Sequence, residues 1–310
     1  MHELSLPALD GANPLAFFCG LGVLAASTRM CADGSPRLSW TDAVTSTPLL
    51  HAPVSEDDLV ALVLADRDRW FGSPVLEHPR DEPAGDVKFE ADALRRWIAR
   101  CAEAAPQDHG RALGLVTALV AEGSLTDGGE AKPTDLHFTA GQQQFLRMAR
   151  TLRDSVAEDH VREALWGPWR YESALPSFKW DVTDDRIYAL AAVNPAGEKK
   201  HTIPGAEWLA LLGLTFFPVG RRKRRTVTTG CAGSWKQGTF SWPLWEDPLT
   251  ASEVRTLLGL RDLVEEQPPR SLVERGVLRV HRAIITRSDQ GGYGSFRPPR
   301  AVLDRAAVGS

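Results

Sequence analysis

The chain has 310 residues, 43% of them hydrophobic and 25% charged, the balance of a globular protein with enough apolar material for a sizeable core. No apolar run approaches the roughly 18–20 residues of a membrane-spanning helix, and the first residues, MHELSLPALDG, lack the basic start of a secretion signal. The net charge of −4 is unevenly spread: residues 1–150 carry 13 basic against 21 acidic residues, residues 151–310 carry 23 against 19, and the stretch from 270 onward has 8 arginines against 3 acids. An acidic half joined to a basic half predicts one face for a polyanion and another for protein neighbours. Four cysteines, Cys19, Cys31, Cys101 and Cys231, form no CxxC pair, so zinc-ligand spacing is absent and reduced thiols in a cytoplasmic protein are expected.

In chain order, residues 3–9 read as a short edge strand, because Pro7 would break a central one. Asn13 caps a helix that starts at Pro14, where a missing N–H costs nothing. That helix, LAFFCGLGVLAAS, is apolar all round and therefore buried, with Gly20 and Gly22 permitting close approach of a neighbouring backbone rather than forming a phosphate loop. A strand is expected over 37–44, a Ser55-headed helix after it, a loop over 71–86, helices at about 88–104 and 108–122, and a loop with little internal order over 123–135. Thr139 is expected to cap the next helix. Leu136, Phe138, Phe145, Leu146, Met148, Ala149 and Leu152 are to supply its apolar face, with Gln142, Gln143 and Gln144 in its first turn. Amides at that position reach phosphates or bases beside free backbone N–H groups.

Gly167-Pro168 ends this mainly helical region, residues 1–170, and a mixed α+β region follows over 171–310. It holds an apolar strand, YALAAV, a buried helix, PGAEWLALLGLTFF, a basic turn over Arg221–Arg225 and a strand, TVTT. Next come an aromatic strand over 238–245, a Thr250-capped helix, a short helix at 270–275 and a long strand over 276–288. The tail has turn and linker chemistry and is expected to be partly disordered. The fold class is α+β, with a largely antiparallel sheet in the C-terminal half.

Nucleophilic catalysis has no support: there is no GxSxG elbow, and no two histidines stand at HxxxH spacing. The acids Asp181, Asp184 and Asp185, with Lys179 and Arg186 alongside, are the one local cluster able to suggest a metal-dependent nuclease. Nuclease metal ligands normally come from separated chain positions, so no catalytic residue, metal or cofactor is expected. The stronger signal is Arg221, Arg222, Lys223, Arg224 and Arg225, adjacent cations that suit a phosphate backbone and make affinity salt-dependent. Trp235 offers a stacking surface for an unpaired base beside Lys236, and Arg279, Arg282 and Arg287 repeat the basic pattern on the C-terminal strand. A protein-only adaptor, whose cations meet acidic partners, is the remaining alternative.

The opening GANPLAFFCGLGVLAA resembles the start of subunits encoded with type I-G (formerly I-U) CRISPR systems. SFKWDVTDDRIYAL, PGAEWLALLGLTFFPV, FSWPLWEDPLTASEVRTLL and RGVLRVHRAIITRS look like blocks of the same large-subunit-like proteins. The region from 45 to 130 carries none of this resemblance. What the resemblance implies is a non-catalytic, nucleic-acid-binding part of a Cascade-like surveillance complex in antiviral defence. Its partners would be guide RNA, target double-stranded DNA, other effector subunits and the helicase-nuclease, with no membrane. In such complexes base pairing reads most of the sequence, and protein reads the flanking motif and backbone shape.

Overall fold

The computed structural model describes residues 2–31, 36–77, 86–139, 143–182, 201–222, 225–287 and 294–308. The YALAAV stretch lies outside them. The fold is α+β, with helices mostly in the N-terminal half and antiparallel sheets mostly in the C-terminal half.

Strand β1 (His2–Ser5) leads to helix α1 (Pro14–Met30). The Asn13 side chain accepts from the Leu15 N–H and Pro14 sits at the first helical position, as the sequence predicts. Strands β2 (Arg37–Trp40) and β3 (Pro48–Ala52) follow, then α2 (Glu56–Asp68), which begins in a capping box between Ser55 and Asp58. Helices α3 (Ala91–Asp108) and α4 (Arg111–Leu119) part at His109 and Gly110, both left-handed. The break thus falls at 109–110, after Pro106, where the sequence placed it over 105–107. Helices α5 (Phe145–Ser155), α6 (Glu158–Trp166) and α7 (Pro204–Gly213) complete the helical layer. The C-terminal half then runs through strands β4 (Val219–Arg222), β5 (Arg225–Thr228), β6 (Cys231–Gly233), β7 (Gly238–Trp245) and β8 (Leu249–Thr250). The Thr250-capped helix α8 (Ala251–Leu258) and the short α9 (Ser271–Glu274) precede the long strand β9 (Val277–Arg287). Strands β10 (Gly294–Phe296) and β11 (Arg300–Asp304) and a final turn, α10 (Arg305–Val308), close the chain. The tail therefore folds where linker chemistry was expected, because β10 and β11 both pair with the free edge of β9.

Two antiparallel sheets frame α1. The first has the order β1-β3-β2-β8, so residues 37–38 pair with residues 249–250 from the other half. The second has the order β10-β9-β7-β6, with β11 also on β9. Phe17 stacks on Trp40 at 5.7 Å and meets Trp242 at 6.0 Å, while Phe18 stacks on Phe240 at 5.2 Å. Three buried indoles are fixed by their polar edge: Trp242 donates to the Gly11 carbonyl, Trp245 to that of Leu38 and Trp180 to that of Leu136. One hydrophobic core runs from Leu6 to Phe296 across both sequence halves.

The tightest packing is α1 against α7, and glycine makes it. A Cβ on Gly22 would lie 1.8 Å from the Leu209 carbonyl oxygen, and one on Gly213 2.0 Å from that of Phe18. The backbones touch where no side chain intervenes, which is the close approach that the glycines in the apolar run predict for Gly22. Gly20 has only ordinary contacts, with Trp40 and Pro48.

The segment 123–135 is ordered, contrary to expectation. Leu125 and Glu130–Ala131 make bridge pairings, the Lys132 N–H donates to the Ser124 carbonyl, and Ala131 and Thr134 are fully buried. Thr139 does not cap a helix: its hydroxyl bonds His137, and α5 starts later, at Phe145. Among the described residues no helix is long and apolar enough to cross a membrane.

Candidate nucleic-acid interface

The described residues of the basic run lie in two paired strands, β4 and β5. In the β4–β5 ladder Arg221 pairs with Thr226 and Arg222 with Arg225, while Lys223 and Arg224 fall outside the described residues. One hairpin face sits on the 123–135 segment. Thr226 bonds the Ser124 hydroxyl, and the Thr228 hydroxyl accepts from the Asp135 N–H at 2.8 Å. A side chain on Gly123 (φ 74°) would run into the Arg221 guanidinium 2.8 Å away, so Arg221 lies on bare backbone there. Pairs directly opposite in a ladder share a face, so Arg222 and Val227 front the other side, and both are exposed.

That side opens onto a cleft of about 780 Å³, lined by Arg222, Val227, Cys231–Trp235, Ile285, Arg287 and Asp135 among others. Its far wall is the turn between β6 and β7. The Ser234 N–H donates to the Gln237 carbonyl and the Gln237 N–H to that of Ser234, which leaves Trp235 and Lys236 at the tip. Gly233 (φ 91°) is required, since a Cβ would lie 2.3 Å from the Gln237 carbonyl oxygen.

Arg287, at the end of β9, locks this wall. It donates to the carbonyls of Trp235 (3.1 Å), His137 (2.9 Å) and Asp135 (2.6 Å), and its guanidinium lies 3.5 Å from the centre of the Trp235 ring. Lys132 approaches the same ring at 5.9 Å. Burial pushes the Arg287 guanidinium down to about 10, against the nearby Asp135 charge, so it remains a cation at neutral pH. Burial pushes the Asp135 carboxyl up, opposed by Thr228, Arg287 and Lys132. Burial also drives the Cys231 thiol well above its ordinary range, the reverse of what a nucleophile needs.

The cleft gathers Arg222, Trp235 and Arg287, with Arg221, the backbone of Arg225 and the exposed Lys236 on the two hairpins beside it. It does not gather the other arginines of β9. Arg279 pairs with Asp42 (3.3 Å) and Asp304 (3.1 Å) and donates to Ala43 and Ser46. Arg282 points to the opposite strand face from Arg287, where Ser241 and the carbonyls of Leu263, Glu265 and Glu266 take its donors. The glutamines precede α5 instead of forming its first turn: Gln143 is half-buried, Gln144 gives its carbonyl to the Met148 N–H, and Gln142 lies outside the described residues. Asp181 is buried, and its two oxygens accept from the Asn13 amide (2.9 Å) and the Tyr171 hydroxyl (2.7 Å). Asp184, Asp185 and Arg186 lie outside the described residues, among which no group of three or more His, Cys, Asp or Glu has the placement to hold a metal.

Sequence reasoning missed Lys132, Asp135, Val227 and Ile285. The first two sit in a segment whose glycines and charges read as loop, although the small buried residues Ala131 and Thr134 at spacing three mark a packed strip. No family model matches the chain, and no curated protein does.

Proposed function

We propose that this chain is a non-catalytic nucleic-acid-binding subunit of a CRISPR RNA-guided surveillance complex in antiviral defence, of the type I-G kind that its sequence blocks resemble. It would contact guide RNA, target DNA or both near the flanking motif, beside other effector subunits and the helicase-nuclease, in the cytoplasm. The observation that carries the nucleic-acid part is the cleft between the β4–β5 ladder and the β6–β7 turn, lined by the exposed Arg222 and by Trp235, with Lys236 beside it and Arg221 on the other face of the ladder. The metal-nuclease alternative draws no support from Asp181, whose oxygens already accept internal hydrogen bonds.

Replacing Arg221–Arg225 together by alanine tests the reading. Nucleic-acid affinity should fall, and the slope of log affinity against log salt should flatten by about one for each phosphate contact removed. Unchanged affinity and slope would remove the hairpin from the interface. Partners that co-purify undiminished after complete nuclease digestion, with no nucleic acid bound by the chain, would favour the protein-only adaptor.

A further inference from the structure

We infer that the cleft between the two hairpins receives one unpaired nucleotide, its phosphate toward Arg222 and its base edge toward Asp135, so that the chain holds single-stranded nucleic acid in preference to duplex. This rests on the nucleic-acid reading above and specifies the substrate of that same site.

The lining argues for it. A volume of about 780 Å³ lies within the ~300–1,000 Å³ of pockets that enclose small ligands and exceeds what a phosphate needs. The walls are mixed: Val227 and Ile285 are apolar, Gly233 and Gly238 leave backbone uncovered, and polar groups stand at two separate places. A cleft made only for a phosphodiester backbone would not carry a carboxylate, since Asp135 repels an anion. The Asp135 side chain, which already takes a bond from Thr228, has a second oxygen that suits the N–H groups of a base edge, and an exposed guanidinium at the rim suits the phosphate. Such a ligand is flat and apolar on its faces, with donors at one end and negative charge at the other, which describes a nucleotide out of its duplex. The wall is also pre-organised: Arg287 ties Trp235 to the 135–137 segment before any ligand arrives, and a rigid site gives up less entropy on binding. Within a duplex the base faces are stacked and the Watson–Crick edges are bonded to the partner strand, and the groove edges that remain cannot be carried into such a recess without unpairing.

The test uses the full chain and fluorescence anisotropy at one fixed salt concentration. The probes are a short labelled single strand of DNA, its RNA counterpart, the same strand with abasic residues, and a blunt duplex. Since base–aromatic and base–apolar contact is worth about tenfold or more per base, the single strand should bind at least ~10-fold tighter than the duplex. The abasic strand, which keeps its phosphates, should fall to the duplex level. Val227 is 42% exposed, so Val227→Glu fills the cleft from its rim with a charged, non-aromatic side chain without entering the core, and it should erase the preference. A thermal melt matching wild type confirms that the variant folds. Equal affinity for single strand, abasic strand and duplex overturns the inference and leaves the hairpin reading standing. A single-strand preference that survives Val227→Glu overturns the cleft as its origin. Failure of every probe to bind removes both readings, as does an acidic peptide that binds in their place.

Discussion

Gly22 sits where α1 crosses α7, and replacing it by alanine sets two opposing effects against each other. Alanine favours a helix interior over glycine by about 1 kcal/mol. The new Cβ, however, would lie 1.8 Å from the Leu209 carbonyl oxygen, 2.5 Å from its carbon and 3.0 Å from its Cα. Ordinary contact needs roughly 3.4 Å, so the helices must part by about 1.5 Å, and backbone on both sides leaves no rotamer to yield. Overpacking typically costs about 1–3 kcal/mol and more when rigid groups meet. At the upper end of that range, less the ~1 kcal/mol gained in propensity, a net loss of about 2 kcal/mol is expected, a large part of the ~5–15 kcal/mol that holds a domain together. Gly114 in α4 supplies the control, because a Cβ there would meet only the Thr215 methyl at 4.0 Å. Gly114→Ala should therefore stabilise by about 0.5–1 kcal/mol through helix propensity alone. Urea unfolding of the two variants beside wild type reads both signs from the midpoints. If Gly22→Ala proves as stable as Gly114→Ala, the backbone contact between α1 and α7 is not what holds the fold together.

Glu207, on α7, is buried, and burial pushes its carboxyl up to about 7 from an ordinary 4.5, with the Asp181 charge adding to the rise and bonds from Ser177, Phe178 and Thr202 opposing it. The folded state therefore holds a proton that the unfolded chain releases near pH 4.5. This contribution to stability is complete below that pH and disappears as pH rises through about 7, a loss on the order of 3 kcal/mol. Glu207→Gln should flatten the stability profile between those limits, measured by urea unfolding across pH, and an unaltered profile would refute the assignment. Arg282→Ala should cost about 1–3 kcal/mol by removing the donors to the buried Leu263 carbonyl and Ser241 hydroxyl and to the part-buried carbonyls of Glu265 and Glu266, while leaving affinity for nucleic acid and its salt slope alone, which separates structural from interfacial cations. A weakened salt slope in that variant would return Arg282 to the interface.

Much of the scaffold was legible in local chemistry. The caps at Asn13, Ser55 and Thr250 each satisfy N–H groups within three residues, so they act at a range that sequence displays directly. The all-round apolar character of α1 and α7 requires burial whatever surrounds them. The α+β class follows from the same patterns, and so does the strand after the basic run, but its partner β4 takes in Arg221 and Arg222, which the sequence had placed in a turn.

The allocation of the arginines was decided only by tertiary structure. Arg279, Arg282 and Arg287 look alike on one strand, yet one meets Asp42, another the carbonyls of 263–266, and the third the segment 135–137 and an indole. The acceptors that claim each guanidinium arrive from places as many as 237 residues away, and nothing near the arginine in sequence records them. The ordered strip at 123–135 was hidden for the same reason. Its loop-like composition is held by the threonine hydroxyls of β5, which reach it only once the chain has folded. Residue type and spacing therefore determined where helices and strands form and where cations concentrate. Which cations the fold uses for itself, and which are left facing a cleft, depended on hydrogen-bond partners brought in from distant sequence.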